Sequence, residues 1–129
     1  MTDGVIDVVA AVIRRGNEIL LASRPEDKPP AGWEFPGGKV EAGESLFAAT
    51  VREIDEELGV TVVPFEVLET VRNGRIRLHF VAAEMPADAV PTPREHQQCF
   101  WVKLSPEPPE LLLPADRDFW KRLAAANKK

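Results

Sequence analysis

With 129 residues, 44% hydrophobic and 29% charged, the chain has an ordinary globular composition and the length for one domain, residues 1–129, with a proper core. Its net charge of −5 excludes a general duplex-DNA binder, which needs a basic footprint, but not a nucleotide enzyme in which metal ions offset carboxylates and phosphates. A lone cysteine, Cys99, excludes an internal disulfide, no apolar run approaches the roughly 20 residues of a membrane span, and the start MTDGVIDVV has no signal-peptide pattern, so a cytoplasmic protein is expected.

In chain order, Val5 to Ile13 is apolar and rich in β-branched residues and predicts a buried strand. Arg14 to Asn17 predicts a turn and Glu18 to Ala22 a second strand, completing a hairpin. The stretch 23–32 carries Pro25, Pro29 and Pro30, which excludes regular structure. Trp33 to Pro36 is a short aromatic segment that ends in Gly37-Gly38, and Lys39 to Glu41 predicts a brief extended piece. Ser45 to Leu58 predicts a helix whose apolar stripe is Phe47, Val51, Ile54 and Leu58, ended by Gly59. Phe65 to Arg72 and Arg75 to Glu84 flank Asn73-Gly74, a strong hairpin signal. Met85 to Pro93 predicts a loop, Gln98 to Leu104 a strand and Asp116 to Ala126 a helix. The sum is a mixed sheet with helices packed on it, of α/β class.

Glu53, Glu56 and Glu57 stand at i, i+3 and i+4, neighbours on one helix face. At about 100° per residue their mean direction falls roughly 130° from the apolar stripe, so the helix is expected to bury one side and present carboxylates on another. Spacing alone leaves two readings open. One is a solvated acidic face; the other is a site for a hard cation such as Mg²⁺ or Mn²⁺. Glu44 can add a further carboxylate, and Arg52 is placed to hold a glutamate and offset charge. The Gly37-Gly38 turn lets backbone come close to metal or phosphate. The stretch GKVEAGES has P-loop spacing, but Glu44 stands where the phosphate-binding lysine belongs, so that reading is rejected.

These residues resemble the Nudix hydrolase signature, G-x5-E-x7-R-E-U-x-E-E-x-G-U, where U is a bulky aliphatic residue. Gly38, Glu44, Arg52, Glu53, Ile54, Glu56, Glu57, Gly59 and Val60 fill it without departure. The WEFPGGK lead-in and the late Pro114-Ala115-Asp116 are similar to the MutT-like branch, which includes the 8-oxo-dGTP diphosphatases. The resemblance implies a Nudix fold, an α/β/α sandwich around a mixed sheet. It also implies Mg²⁺-dependent hydrolysis, with Mn²⁺ able to substitute, of oxidised or otherwise modified nucleoside triphosphates to monophosphate and pyrophosphate. Such an activity cleans the nucleotide pool. By the same resemblance Glu53, Glu56, Glu57 and the Gly37 carbonyl are metal ligands. Glu95 is a ligand or general base, with His96 as its neighbour, while Glu44 and Arg52 support the set.

Outside the signature, Arg24 matches a phosphate-contacting arginine, or is an ordinary solvated one. Lys39 and Arg75 are further candidates for phosphate or sugar, and Gly38 for close backbone approach. Phe35 and Leu78 are candidate walls for the base, with Trp33 at the mouth; Trp101 and Trp120 read as core. His79 either faces the nucleotide or is a satisfied structural histidine. Asp116 falls where MutT-like relatives carry a base-reading asparagine, and it is also expected to cap the last helix. A carboxylate suits an exocyclic amine, as on cytosine or adenine, unless it is protonated and donates to an oxo group. The expected partner is a small nucleotide, with no extended nucleic acid and no membrane, in a monomer or homodimer. Another diphosphate substrate (a dinucleoside polyphosphate, a nucleotide sugar or an RNA 5′ end) and a non-catalytic nucleotide-binding module are the alternatives.

Overall fold

The structure, a computed structural model, describes residues 4–24, 31–94 and 97–127. β1 (Ile6–Arg15) and β2 (Glu18–Ser23) form the first hairpin, followed by the short β3 (Trp33–Glu34) and β4 (Gly37–Lys39). α1 (Leu46–Leu58) leads to β5 (Val63–Asn73) and β6 (Ile76–Glu84), then β7 (Cys99–Lys103) and α2 (Pro114–Ala126). The strands run in the order β3-β2-β1-β6-β5, with β4 on β1 and β7 on β2. β1 and β6 are parallel, from Ile6 opposite Ile76 to Ile13 opposite Ala83; the other pairings are antiparallel, so the sheet is mixed. The β5–β6 hairpin turns one residue later than expected: Asn73 still pairs with Ile76, and Gly74, at φ +62°, and Arg75 make the turn.

Period-two alternation along β1 builds the two cores. Ala10 and Val12 point with Phe80 to one face, where Phe119 and Trp120 of α2 pack. Ala11 and Ile13 point with Ala83 to the other, where Ile54 and Leu58 of α1 pack. The sheet is therefore sandwiched between helices, as the α/β/α expectation required. Trp120 is fully buried and donates its indole N–H to the Ser105 carbonyl at 2.8 Å. Trp101 is half-buried, with the Arg15 guanidinium 4.6 Å from its ring centre. No helix among the described residues is long and apolar enough to cross a membrane.

Candidate active site

α1 starts and stops as its sequence dictates. The Ser45 hydroxyl accepts from Ala48 N–H at 3.0 Å, and Gly59 adopts the left-handed conformation, φ +66°, that closes a helix. The expected stripe needs correcting. Phe47 is 39% exposed and Val51 only half-buried, whereas Ala49, Thr50, Ile54 and Leu58 are buried. Small residues let the helix approach β4 closely, and Glu53 and Glu57 lie inside this buried arc rather than opposite it. Only Glu56 turns outward, its side chain 59% exposed against 16% for Glu53.

The two glycines before the helix are there for room. A Cβ on Gly38 would stand 2.4 Å from the Glu53 carboxyl carbon, and one on Gly37 would stand 1.9 Å from the Val9 carbonyl oxygen. Neither position needs a positive φ. The Glu53 carboxylate thus lies flat against the Gly38 backbone.

Arg52 ties the acids together. Its Nε and Nη2 hold both oxygens of Glu44, at 2.7 and 2.9 Å, and Nη1 donates to Glu53 at 3.0 Å and Glu56 at 3.3 Å. Nη2 also donates to the Lys39 carbonyl at 2.9 Å, fixing β4 to the helix. The guanidinium beside Glu44 holds its carboxyl down at about 2, and Glu44 accepts from Glu41 N–H as well. Glu44 therefore acts through Arg52.

Glu57 behaves in the opposite way. Burial, then the charges of Glu53 and Glu34, push its carboxyl up to about 8. A buried acid facing two other acids is destabilised when ionised, and a bound cation removes that penalty. The donor set of carboxylate oxygens beside a glycine turn fits a hard divalent metal. Among the described residues, however, no three acid, histidine or cysteine side chains converge as a ready cage. Glu56, the most exposed of the three glutamates, shares the Arg52 Nη1 donor with Glu53. Glu95 and His96 lie outside the described residues. The loop that carries them is laced to α1: Thr92 and Arg94 donate their N–H groups to the Leu58 and Glu57 carbonyls at 2.7 and 3.0 Å.

From Glu53 and Glu57 opens a cavity of about 860 Å³. Gly37, Gly38 and Lys39 line it near the acids; Arg24, Glu34 and Gln97 also line it; Leu113, Ala115 and Asp116 close it on the α2 side. Leu78 contributes to an apolar wall with Val8, Val71 and Ile76. Phe35 borders the cavity but is only 3% exposed, its ring edge-on to Phe80 and Phe119, so it is floor rather than a stacking wall. Trp33 stacks on Phe100 at 4.5 Å and does not line the cavity. Arg75 does not line it either; its Nε donates to the Gly4 carbonyl at 3.0 Å. His79 is the satisfied histidine, between Thr70 Oγ1 and Asp7 Oδ1, each 2.8 Å away. Arg24 lines the cavity and pairs with Glu34 at 3.1 Å.

Asp116 overturns the capping expectation. Pro114 occupies the first turn and Leu113 is the N-cap, without a side-chain bond. Asp116 lies three residues past the N-cap, 7% exposed, and accepts from Phe35 N–H at 3.2 Å. Burial, more than the nearby charge of Glu34, raises its carboxyl to about 7 despite that hydrogen bond. Glu34, Gln97, Val71 and Leu113 are cavity residues that no motif marked. For Glu34 a signal was present, an acid amid aromatic residues directly before the glycine turn.

Comparison with known proteins places the chain in a family. The NUDIX domain family matches residues 5–123. The chain belongs to the Nudix hydrolase family, whose members work with a divalent metal. It is 41% identical over 116 residues to the CTP pyrophosphohydrolase of Escherichia coli K12, covering 86% of this chain and 85% of that protein. It is 34% identical over 105 residues to the 8-oxo-dGTP diphosphatase of the same organism, covering 77% and 81%. Among solved structures, the MutT protein from Methanosarcina mazei Go1 superposes with a TM-score of 0.78 at 33% identity, covering 96% of each chain.

Proposed function

We propose that this protein hydrolyses nucleoside triphosphates to the monophosphate and pyrophosphate with Mg²⁺, Mn²⁺ substituting, and that its substrates are modified or cytidine-type nucleotides removed from the pool. One observation carries the reading: a single cavity runs from the Glu53–Glu57 pair to buried Asp116, room for a triphosphate at one end and a base at the other. Held by Glu53, Glu56, Glu57 and the Gly37 carbonyl, the metal would polarise a phosphoryl oxygen and make bound water a stronger nucleophile. The chain's own part is orientation and charge. Arg52 fixes Glu53, and Glu44 fixes Arg52. Lys39 and Arg24 offset phosphate charge where they line the cavity. Glu95, in the loop laced to α1, stays a candidate for ligand or base.

Asp116 reads the base. With its carboxyl near 7, the ionised form accepts from an exocyclic amine such as cytosine N4, and the protonated form donates to an oxo group. The likeness to a CTP pyrophosphohydrolase supports the amine-bearing base. The test is a screen with Mg²⁺ of normal, oxidised and methylated nucleoside triphosphates. Products should be monophosphate and pyrophosphate; diphosphate and inorganic phosphate overturn the proposed cut.

A further inference from the structure

Gln97 lines the cavity beside Glu57, and no motif gave it a part. The chain on either side of residues 95–96 closes on that one glutamate. On one side Arg94 N–H donates to the Glu57 main-chain carbonyl at 3.0 Å. On the other, the Gln97 side-chain amide bonds the Glu57 carboxylate, and its Nε2 donates to the Ser23 carbonyl at 3.1 Å. Both partners are acceptors, so the amide must turn its NH₂ toward them, and its two hydrogens suffice for both. The Ser23 end is itself fixed. Ser23 N–H donates to the Gln98 carbonyl at 2.8 Å, and Ser23 Oγ accepts from Gln98 N–H at 2.9 Å. The amide therefore bridges the end of β2 and the acidic face of α1.

The two acids of the pair are held by different chemistry, Glu53 by the Arg52 guanidinium at 3.0 Å and Glu57 by an uncharged group. A further cation beside Glu57 would repel a metal ion, whereas a neutral N–H orients the carboxylate and leaves its charge to the ion. We infer that Gln97 is a positioning residue: its amide, anchored on the Ser23 carbonyl, sets the direction in which Glu57 presents its carboxylate to a divalent cation. The assignment rests on the metal-dependent hydrolysis proposed above.

The experiment measures Mn²⁺ affinity of the full chain without substrate, by electron paramagnetic resonance, in wild type, Gln97→Met, Gln97→Ala and Ser23→Ala. It is paired with kcat and KM on the triphosphate that wild type turns over fastest. Gln97→Met removes both N–H donors at nearly constant length. It should bind Mn²⁺ about tenfold more weakly, with kcat falling and KM for the nucleotide steady. Gln97→Ala should do the same, and it carries the test if the methionine variant does not fold. Ser23→Ala loosens the same clasp, losing the bond from Gln98 N–H but keeping the carbonyl that anchors Gln97, so its Mn²⁺ affinity should match wild type. A Gln97→Met protein that binds Mn²⁺ as wild type does overturns the inference. So does a Ser23→Ala protein as weak as Gln97→Met, which makes the anchorage of the loop responsible. A rise in KM with unchanged Mn²⁺ affinity also overturns it, because Gln97 is then a nucleotide contact. A wild type that binds no Mn²⁺ overturns the metal reading itself, and the inference falls with it.

Discussion

Glu53 and Glu57 face each other inside the buried arc of α1, a position that costs stability unless a cation shares it. Replacing either by glutamine should lower kcat at least about 100-fold while the melting temperature holds or rises, since a repulsive pair is relieved. Near-normal rates from Glu57→Gln would remove it from the metal site. Asp116 carries a second, separable prediction. Its folded pKa of about 7 lies above the ordinary carboxylate value, so the fold binds an extra proton between roughly pH 4 and 7. Stability from this group is full below that window and declines as pH rises through it, by up to about 1.4 kcal/mol per pH unit. Asp116→Asn keeps an acceptor for Phe35 N–H and cannot ionise. It should make the fall in melting temperature between pH 4 and 7 shallower, Glu57 supplying what remains, and re-rank the bases in a substrate screen more than it changes the best rate. An unchanged ranking would take Asp116 out of base recognition. The signal that separates a helix cap from a buried acid three residues further in was present in the sequence: Pro114 favours the first helical position, which puts the N-cap at Leu113.

At the level of elements, β4 and α1 meet through glycine and small side chains, and the two glycines differ in what an added methyl group would strike. On Gly38 it meets the far end of a flexible glutamate, on Gly37 a backbone carbonyl. Gly38→Ala should therefore fold, lose little in thermal melting and lose most of its turnover as Glu53 is displaced. Gly37→Ala should unfold or melt far lower, by about 3 kcal/mol or more, because β1 and β4 must separate. Equal behaviour of the two variants in a melt would contradict this. The helix itself was legible because its caps and its glutamate spacing are local. Which side it buries was not. Apolar size pointed to Phe47 and Val51, but close approach to β4 favours Ala49 and Thr50, and hydropathy does not register that preference. The arginines divide likewise: strand ends placed Arg24 at the cavity, while only the folded hairpin turns Arg75 toward Gly4.

The whole molecule gathers its cavity from β1, β3, β4, α1, the β5–β6 hairpin and α2, so fold class could be read from pattern while the walls, set by long-range pairing, could not. Asp7 ties two of these strands, accepting from Arg77 at 2.6 Å and from His79 at 2.8 Å. Arg77 above all, then His79, holds its carboxyl well below the usual range. A depressed carboxylate stabilises above its unfolded value, near 3.9, and that contribution is lost as pH falls below it. Asp7→Asn should lower the melting temperature at pH 7 and make the decline below pH 4 shallower than in wild type; parallel acid limbs would refute the assignment. The parallel pairing that Asp7 reinforces has a consequence for how the chain is made. Ile6 finds its partner Ile76 only after the hairpin has been synthesised, and Asp116 is added later still. On the ribosome the acidic helix therefore emerges well before the strand and the helix that complete its cavity. The nascent chain holds its carboxylates in water until β6 and α2 dock, so the cavity closes only once both have been made.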